Sequence, residues 1–275
     1  MDDIKTINRI FQDCNLSLWG VCPFWAVKDS FISCRAKNKI PTDAVSVICV
    51  LFPYLTVEEK KRNISRYAVV PDYHLVASRL LEKAVSLLAK KYNKNTFQLF
   101  VDNSPIPEVR AAAFSGLGVI GKNGLLINPI YGSWVFIGEI VTNLPLPATL
   151  QTIQYCLNCG RCEEACPTGA LNNGRLDQKK CLSAITQQKK PLSAIEEENI
   201  IQSGCAWGCD RCQEVCPMNR EAKYTNIQDF LKGKIPVADE NTVQQEDRAY
   251  LWRGKQVILR NLSLLKRKEE KNDIV

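Results

Sequence analysis

The chain concentrates its chemistry in cysteine. The run Cys156-x2-Cys159-x2-Cys162-x3-Cys166-Pro167 has the spacing by which bacterial thiolates hold paired [4Fe–4S] clusters. Three cysteines two residues apart let one tight loop wrap a face of a cubane, with backbone N–H groups directed at the sulfurs. The fourth, followed by proline, opens a separate turn and points toward a second cluster. A second run, Cys209-x2-Cys212-x3-Cys216-Pro217, repeats the end of that pattern. Crossed ligation places one cluster on Cys156, Cys159, Cys162 and Cys216. The other takes Cys166, Cys209, Cys212 and one more thiolate, for which Cys181 and Cys205 compete. Tetrahedral zinc also uses CxxC pairs, but two CxxxCP endings in one short segment fit the cubane better.

Nine of the 13 cysteines lie between Cys156 and Cys216. Cys14, Cys22, Cys34 and Cys49 are scattered, as buried small apolar side chains or surface thiols would be. The opening residues MDDIKTINRI lack the basic and apolar regions of a secretory signal. No apolar run approaches the ~20 residues that span a bilayer. A cytoplasmic protein without membrane association is therefore expected, its thiols serving metal rather than disulfides. The net charge of +7 permits an anionic partner such as RNA without requiring one. The charged stretches 58–62 and 266–271 mix both signs, as solvated faces do.

The elements that must position this chemistry follow from periodicity. Residues 45–54 are β-branched and apolar, like a buried strand, and 75–92 place apolar side chains at helical spacing. A strand over 96–101 ends in the turn-rich Asp102-Asn103-Ser104-Pro105, where a scaffold presents functional side chains. A short helix at 108–115 closes on Gly116-Leu117-Gly118. Strands follow at 125–128 and 133–142, with 129–132 turning between them and 144–148 as a linker. An amphipathic helix is expected at 255–266. These give an α+β chain with domains at 1–150, 151–222 and 223–275, the last a short helical tail. The string Gly116-Leu117-Gly118-Val119-Ile120-Gly121 fits G-x-G-x-x-G, but it follows a helix instead of a strand, so dinucleotide binding is rejected.

Ahead of the clusters, a set of strings occurs in a telling order: Arg66-Tyr67-Ala68, Asp72-Tyr73-His74, Val101-Asp102, Gly116-Leu117-Gly118-x2-Gly121-Lys122-Asn123, Gly132-Ser133-Trp134 and Gly138-Glu139. With the cysteine runs, residues 66–219 resemble the epoxyqueuosine reductase family, cobalamin-dependent enzymes of tRNA wobble-base modification. The likeness is to a short form without the family's C-terminal HEAT-like repeats, since residues 252–265 resemble only the opening helix of that stretch. The resemblance implies a nitroreductase-like α/β domain followed by a ferredoxin-like two-cluster domain, with cobalamin held between them. It implies that two [4Fe–4S] clusters carry electrons to cobalt, and that the reduced corrinoid removes the epoxide oxygen of epoxyqueuosine. An external low-potential electron donor and tRNA are the implied partners.

Residue by residue, the resemblance makes Asp102 the proton donor. A carboxyl beside an apolar macrocycle is desolvated, which suits it to hold and give a proton; otherwise Asp102 only caps its turn. The resemblance implies corrin contacts at Tyr67, Asp72, His74, Gly116, Gly118, Gly121, Lys122, Asn123, Gly132, Ser133 and Trp134. His74, the only histidine, is expected at the corrin periphery or substrate, with a helix cap as the simpler role. The same likeness selects Cys181 over Cys205 for the second cluster. The arginine of Pro107-Glu108-Val109-Arg110 is displaced from its usual place in the family. Two alternatives stay open: a corrinoid reductase of a small molecule, in the manner of reductive dehalogenases, and a ferredoxin-type electron carrier.

Overall fold

The computed structural model describes residues 2–57, 61–149 and 152–272. The expected boundary at 150/151, residues 58–60 of the charged stretch 58–62 and the last three residues of the expected tail lie outside the described residues. In chain order the first elements are α1 (Asp2–Asp13), β1 (Trp19–Pro23), β2 (Ser46–Pro53), α2 (Arg66–Val69), α3 (Tyr73–Lys91) and β3 (Phe97–Val101). Then come α4 (Glu108–Phe114), β4 (Val119–Ile120), β5 (Leu126–Ile127) and β6 (Val135–Thr142). The remainder holds α5 (Arg161–Glu164), β7 (Leu171–Asn172), β8 (Arg175–Leu176), α6 (Leu182–Gln187) and α7 (Ala194–Ser203). It ends with α8 (Arg211–Glu214), α9 (Gln228–Lys232) and α10 (Lys255–Asn272).

Two compact units emerge. The first takes Met1–Pro53, Tyr73–Gly121 and Leu125–Asn158; the second takes Tyr54–Asp72, Lys122–Gly124 and Cys159–Val275. These units differ from the expected linear domains because two segments of the expected first domain pack with the second unit.

In the first unit an antiparallel sheet runs β1-β2-β6-β3. Every residue of β2 is buried, which its unbroken run of Val, Ile, Cys, Leu and Phe allows. α3 covers one face, burying Val76, Ala77, Leu81, Ala84 and Leu88, and α1 packs against α3. The other face meets α4, whose Ala111, Ala112 and Ala113 let the helix lie close on Val47, Cys49, Ile137 and Val141. Each large apolar side chain so buried contributes about 2 kcal/mol.

In the second unit each cysteine run forms the same local device. α5 and α8 are single turns carrying Cys162 and Cys212, followed by Cys166-Pro167 and Cys216-Pro217, and the two turns pack together. α7 starts on a capping box of Ser193 and Glu196 and stops at Gly204, whose φ is 67°. The expected tail is an integral part of this unit. Val257, Ile258 and Leu262 of α10 join Trp207, Tyr250 and Ile64 in one core, and Leu264 joins Leu182, Ile185 and Ile200 in another. Buried Asn261 donates to the carbonyls of Thr186 and Ala206 at 2.7 and 2.8 Å, tying the helix to the cysteine-bearing segment.

Candidate functional site

The turn after β3 carries the residue on which the chemistry was expected to depend. Asp102 sits at φ +62°, a left-handed conformation that aspartate tolerates better than most residues. Its half-exposed carboxylate lies 3.3 Å from His74 Nε2. His74 stacks on Tyr73 at 4.1 Å between ring centroids, and Tyr73 stacks on Phe136 of β6 at 4.1 Å and 8°. The three rings form a pillar from the sheet to Asp102, with Tyr73 and His74 stacked against each other beneath its carboxylate.

A cavity of ≈ 90 Å³ adjoins this turn; Tyr73, Asp102, Glu108, Leu125, Ser133 and Phe136 are among its lining residues. Its floor is mostly apolar with a few converging polar groups, as in small-ligand sites. The Glu108 carboxyl is pushed up to about 7, by burial first and then by the charge of Asp102, with His74 opposing. Deeper in the fold, Glu139 of β6 is 1% exposed and is pushed up to about 8. Burial is the main cause; the Ser104 hydroxyl lowers it and Glu108 raises it. Neither carboxyl oxygen of Glu139 reaches hydrogen-bonding geometry. Glu108 and Glu139 had no role in the expected site. The signal that could have found Glu139 is a lone carboxylate on the core-facing side of an otherwise apolar strand.

The other expected contacts divide. Ser133 lines the cavity, and Trp134 is buried beside it in sequence. Gly132 pairs with Asn128 through two backbone hydrogen bonds of 2.9 Å, while Asn128 binds Leu117 O and the N–H groups of Ile130 and Tyr131. Gly116 ends α4 at φ 73°. Gly121 bonds Leu125 O. At Gly118 a Cβ would sit 2.5 Å from Ile127 O. That glycine therefore serves the approach of two backbone segments within the chain. Gly118→Ala is expected to destabilise the protein by about 1–3 kcal/mol, read as a lower urea midpoint.

Tyr67, Asp72, Lys122 and Asn123 belong to the second unit. Tyr67 is inside the fold, accepting a hydrogen bond from Gln187, and burial raises its phenol. Asp72 N–H donates to Asp247 O. Lys122 Nζ pairs with Glu163 Oε2 at 2.8 Å, and this bond, with the Gly174 N–H, pulls Glu163 below the usual carboxylate range. The Asn123 side chain is bonded to the Cys212 sulfur. Lys122 and Asn123 thus engage the cysteine segment.

Among the cysteines of this unit, Cys209 lies within electrostatic reach of Cys181 and Cys166, and Cys212 within reach of Cys209, Cys181 and Cys162. All 13 cysteines are free thiols. Among the described residues no three His, Cys, Asp or Glu side chains converge as a single metal ion requires. A cavity of ≈ 480 Å³ lies against Pro167, and Cys205 and Cys209 are the cysteines among its lining residues. At Cys166 burial raises the thiol, but N–H groups of Leu171, Thr168 and Ala170 outweigh it and bring it down. Such donors favour a thiolate. Cys205 lines that cavity beside Cys209 and is within electrostatic reach of it, but its S–H donates to Trp207 O at 3.2 Å and Gly208 O at 3.5 Å. Buried Asp210, between Cys209 and Cys212, is anchored by Arg62 Nη1 at 2.5 Å and by the Arg66 N–H at 2.8 Å. Cys156 lies in the first unit, where its N–H donates to Ile120 O. Cys159 is exposed and Cys216 half-buried.

The family model for a 4Fe-4S double cluster binding domain matches residues 155–219, and the model described as Epoxyqueuosine reductase QueG, DUF1730 matches residues 36–103. An epoxyqueuosine reductase of a Synechocystis species is 39% identical over 196 residues, covering 68% of this chain and 67% of that protein. The chain belongs to the epoxyqueuosine reductase family. Another epoxyqueuosine reductase, from Aliivibrio fischeri, is 38% identical over 168 residues, which are 61% of this chain and 45% of that protein. The chain thus spans between about half and two thirds of the curated epoxyqueuosine reductases it matches. Its fold is that of a crystallised epoxyqueuosine reductase with an epoxyqueuosine-modified tRNA-Tyr stem loop: TM-score 0.84 at 23% identity, over 97% of this chain and 81% of that one. The reductive dehalogenase NpRdhA shares the fold more distantly, with TM-score 0.51 at 16% identity over 94% of this chain and 36% of that one. No helix among the described residues is long and apolar enough to cross a membrane.

Proposed function

We propose that the chain reduces epoxyqueuosine to queuosine in tRNA, using cobalamin and two [4Fe–4S] clusters, with electrons from an external low-potential donor. The observation that carries this reading is Asp102, held by His74 at the mouth of a cavity in a chain of the epoxyqueuosine reductase family. The dehalogenase-like alternative rests on a distant likeness of fold alone, and an electron carrier has no use for a carboxylate so placed.

Cys156, Cys159, Cys162 and Cys216 are assigned to one cluster, and Cys166, Cys181, Cys209 and Cys212 to the other. The nearness of Cys181 to both Cys209 and Cys212, and of Cys166 to Cys209, supports the second set. Cys205, committed to two carbonyls, is left out. The backbone donors on Cys166 hold charge on that sulfur, while Asn123 only partly offsets the burial that raises Cys212. The apolar floor with Asp102, Glu108 and Ser133 suits the rim of a large apolar macrocycle, though ≈ 90 Å³ admits only a small group of substrate or water. His74, Gly116, Gly118, Gly121, Gly132, Ser133 and Trp134 remain the candidates to border it, with Tyr67, Asp72, Lys122 and Asn123 acting through the packing described above. Bound cobalamin would supply two-electron reducing power at the epoxide.

The protein's part is to hold and move protons. Asp102, steadied by His74, gives its proton to the oxygen that leaves the substrate, and the ring pillar fixes the direction of delivery. Expression of this chain in a strain lacking its own reductase should restore queuosine to cellular tRNA, measured in nucleoside digests by mass spectrometry. Persistent epoxyqueuosine, with folded and cluster-loaded protein verified, would remove the tRNA substrate from the account.

A further inference from the structure

Removing an epoxide oxygen as water consumes two electrons and two protons, and Asp102 can give only one proton before it must be recharged. Two further carboxyls stand behind it. Glu108, the first residue of α4, lines the same cavity as Asp102. Glu139 lies on the α4-facing side of the sheet, directly opposite Cys49 on β2 and Phe100 on β3. The turn Asp102-Asn103-Ser104-Pro105 links them, since Asp102 meets His74 at one end and Ser104 nears Glu139 from the other. Ser104 Oγ also accepts the Ile106 N–H at 3.1 Å, which fixes the hydroxyl.

A carboxylate as buried as Glu139, with the Ser104 hydroxyl beside it but no cation to pair it, is too costly to keep ionised, so it stays neutral. The groups facing it are Glu108, Ser104 and the thiols of Cys22 and Cys49, both raised by burial and then by Glu139. Glu108 in turn faces Asp102 and His74. Arg110, on the same helix, is directed to Ala26 O and the Phe114 ring. A neutral acid in the core of a sheet adds nothing to packing that an apolar residue would not, and its presence calls for a role.

The geometry points to Glu108 and Glu139 as a two-carboxyl proton store that supplies the second proton of epoxide reduction through Asp102. The inference rests on the proposed reaction. In the first transfer Asp102 protonates the departing oxygen and becomes a carboxylate. The Glu108 O–H then passes its proton to Asp102, which delivers it to the same oxygen to complete water. The two electrons come from the low-potential donor. Glu139, kept neutral, is the second protonated carboxyl of the store and stands within electrostatic reach of Glu108. Protonation near about 7 for Glu108 and about 8 for Glu139 accords with this use. After product release the store refills from solvent through half-exposed Asp102.

The test pairs infrared spectroscopy with single turnovers on the full chain, loaded with clusters and cobalamin. Infrared titration should show protonated carboxyl bands at neutral pH that disappear as pH rises. One should be missing in Glu108→Gln and one in Glu139→Gln. In single turnovers with an epoxyqueuosine-modified stem loop, Glu108→Gln should slow reduction about 10²-fold and remove the alkaline fall in rate, leaving cobalamin retention and stem-loop affinity as in wild type. Wild-type rate and pH profile in Glu108→Gln would overturn the store. So would wild-type spectra without protonated carboxyl bands at neutral pH, a measurement that needs no variant to fold. The infrared result stands without turnover, so a chain that kept its proton store yet failed to reduce the epoxide would count against the proposed reaction and not against the store.

Discussion

Asp102→Asn is expected to lower turnover by about 10²–10⁴-fold, the range for removal of a positioned general acid. The substitution keeps the size of the side chain and its contact with His74, so the pillar of His74, Tyr73 and Phe136 should persist. What is lost is the proton. Corrinoid bands retained on the protein, and unchanged affinity for the stem loop, should accompany the loss. Because the pair is half-exposed, its mutual attraction is worth little to stability, and the variant's urea midpoint should stay near wild type. An Asp102→Asn protein that turned over normally would return Asp102 to the lesser part of capping its turn.

Cys181→Ala and Cys205→Ala should part company. Loss of Cys181 removes one of four thiolates from the second cluster, and iron content should fall from about eight to about four atoms per chain. The electron path is broken and reduction should cease. Cys205→Ala removes an S–H that donates to Trp207 O and Gly208 O, and both clusters should assemble. Iron and acid-labile sulfide analysis, with paramagnetic resonance of the reduced protein, measures both. The reverse result, with Cys205→Ala losing a cluster and Cys181→Ala keeping both, would reassign the ligand.

The two central strands were legible because β2 is almost wholly apolar and β6 is apolar apart from Glu139 and Thr142: residues 45–54 and 133–142 contain them, and their burial needs no long-range information to anticipate. β1 carries a weaker signal. Five residues holding Gly20 and Pro23 become a strand only by pairing with β2. Asp102 was legible from its place in a turn after a strand together with the motif around it. The carboxyls behind it were not, since Glu108 reads as an ordinary acidic residue in the first turn of a helix and becomes special only when the fold half-buries it beside Asp102. Lys122 and Asn123 show the opposite limit. Order along the chain does not say which unit their three-residue segment joins. The expected tail failed to be separate for the same reason, as the partners of Val257, Ile258 and Leu262 lie far back in sequence.

The central claim is that this chain carries out cobalamin-dependent reduction of epoxyqueuosine in tRNA. Its most direct test is anaerobic reconstitution of the full chain with iron, sulfide and cobalamin. The loaded protein is then incubated with an epoxyqueuosine-modified stem loop and a low-potential reductant, and the nucleosides are weighed by mass spectrometry. The account predicts corrinoid bands that stay with the protein and a product lighter by one oxygen that matches queuosine. Epoxyqueuosine recovered unchanged from protein holding both clusters, or a chain that retains no corrinoid, would contradict it.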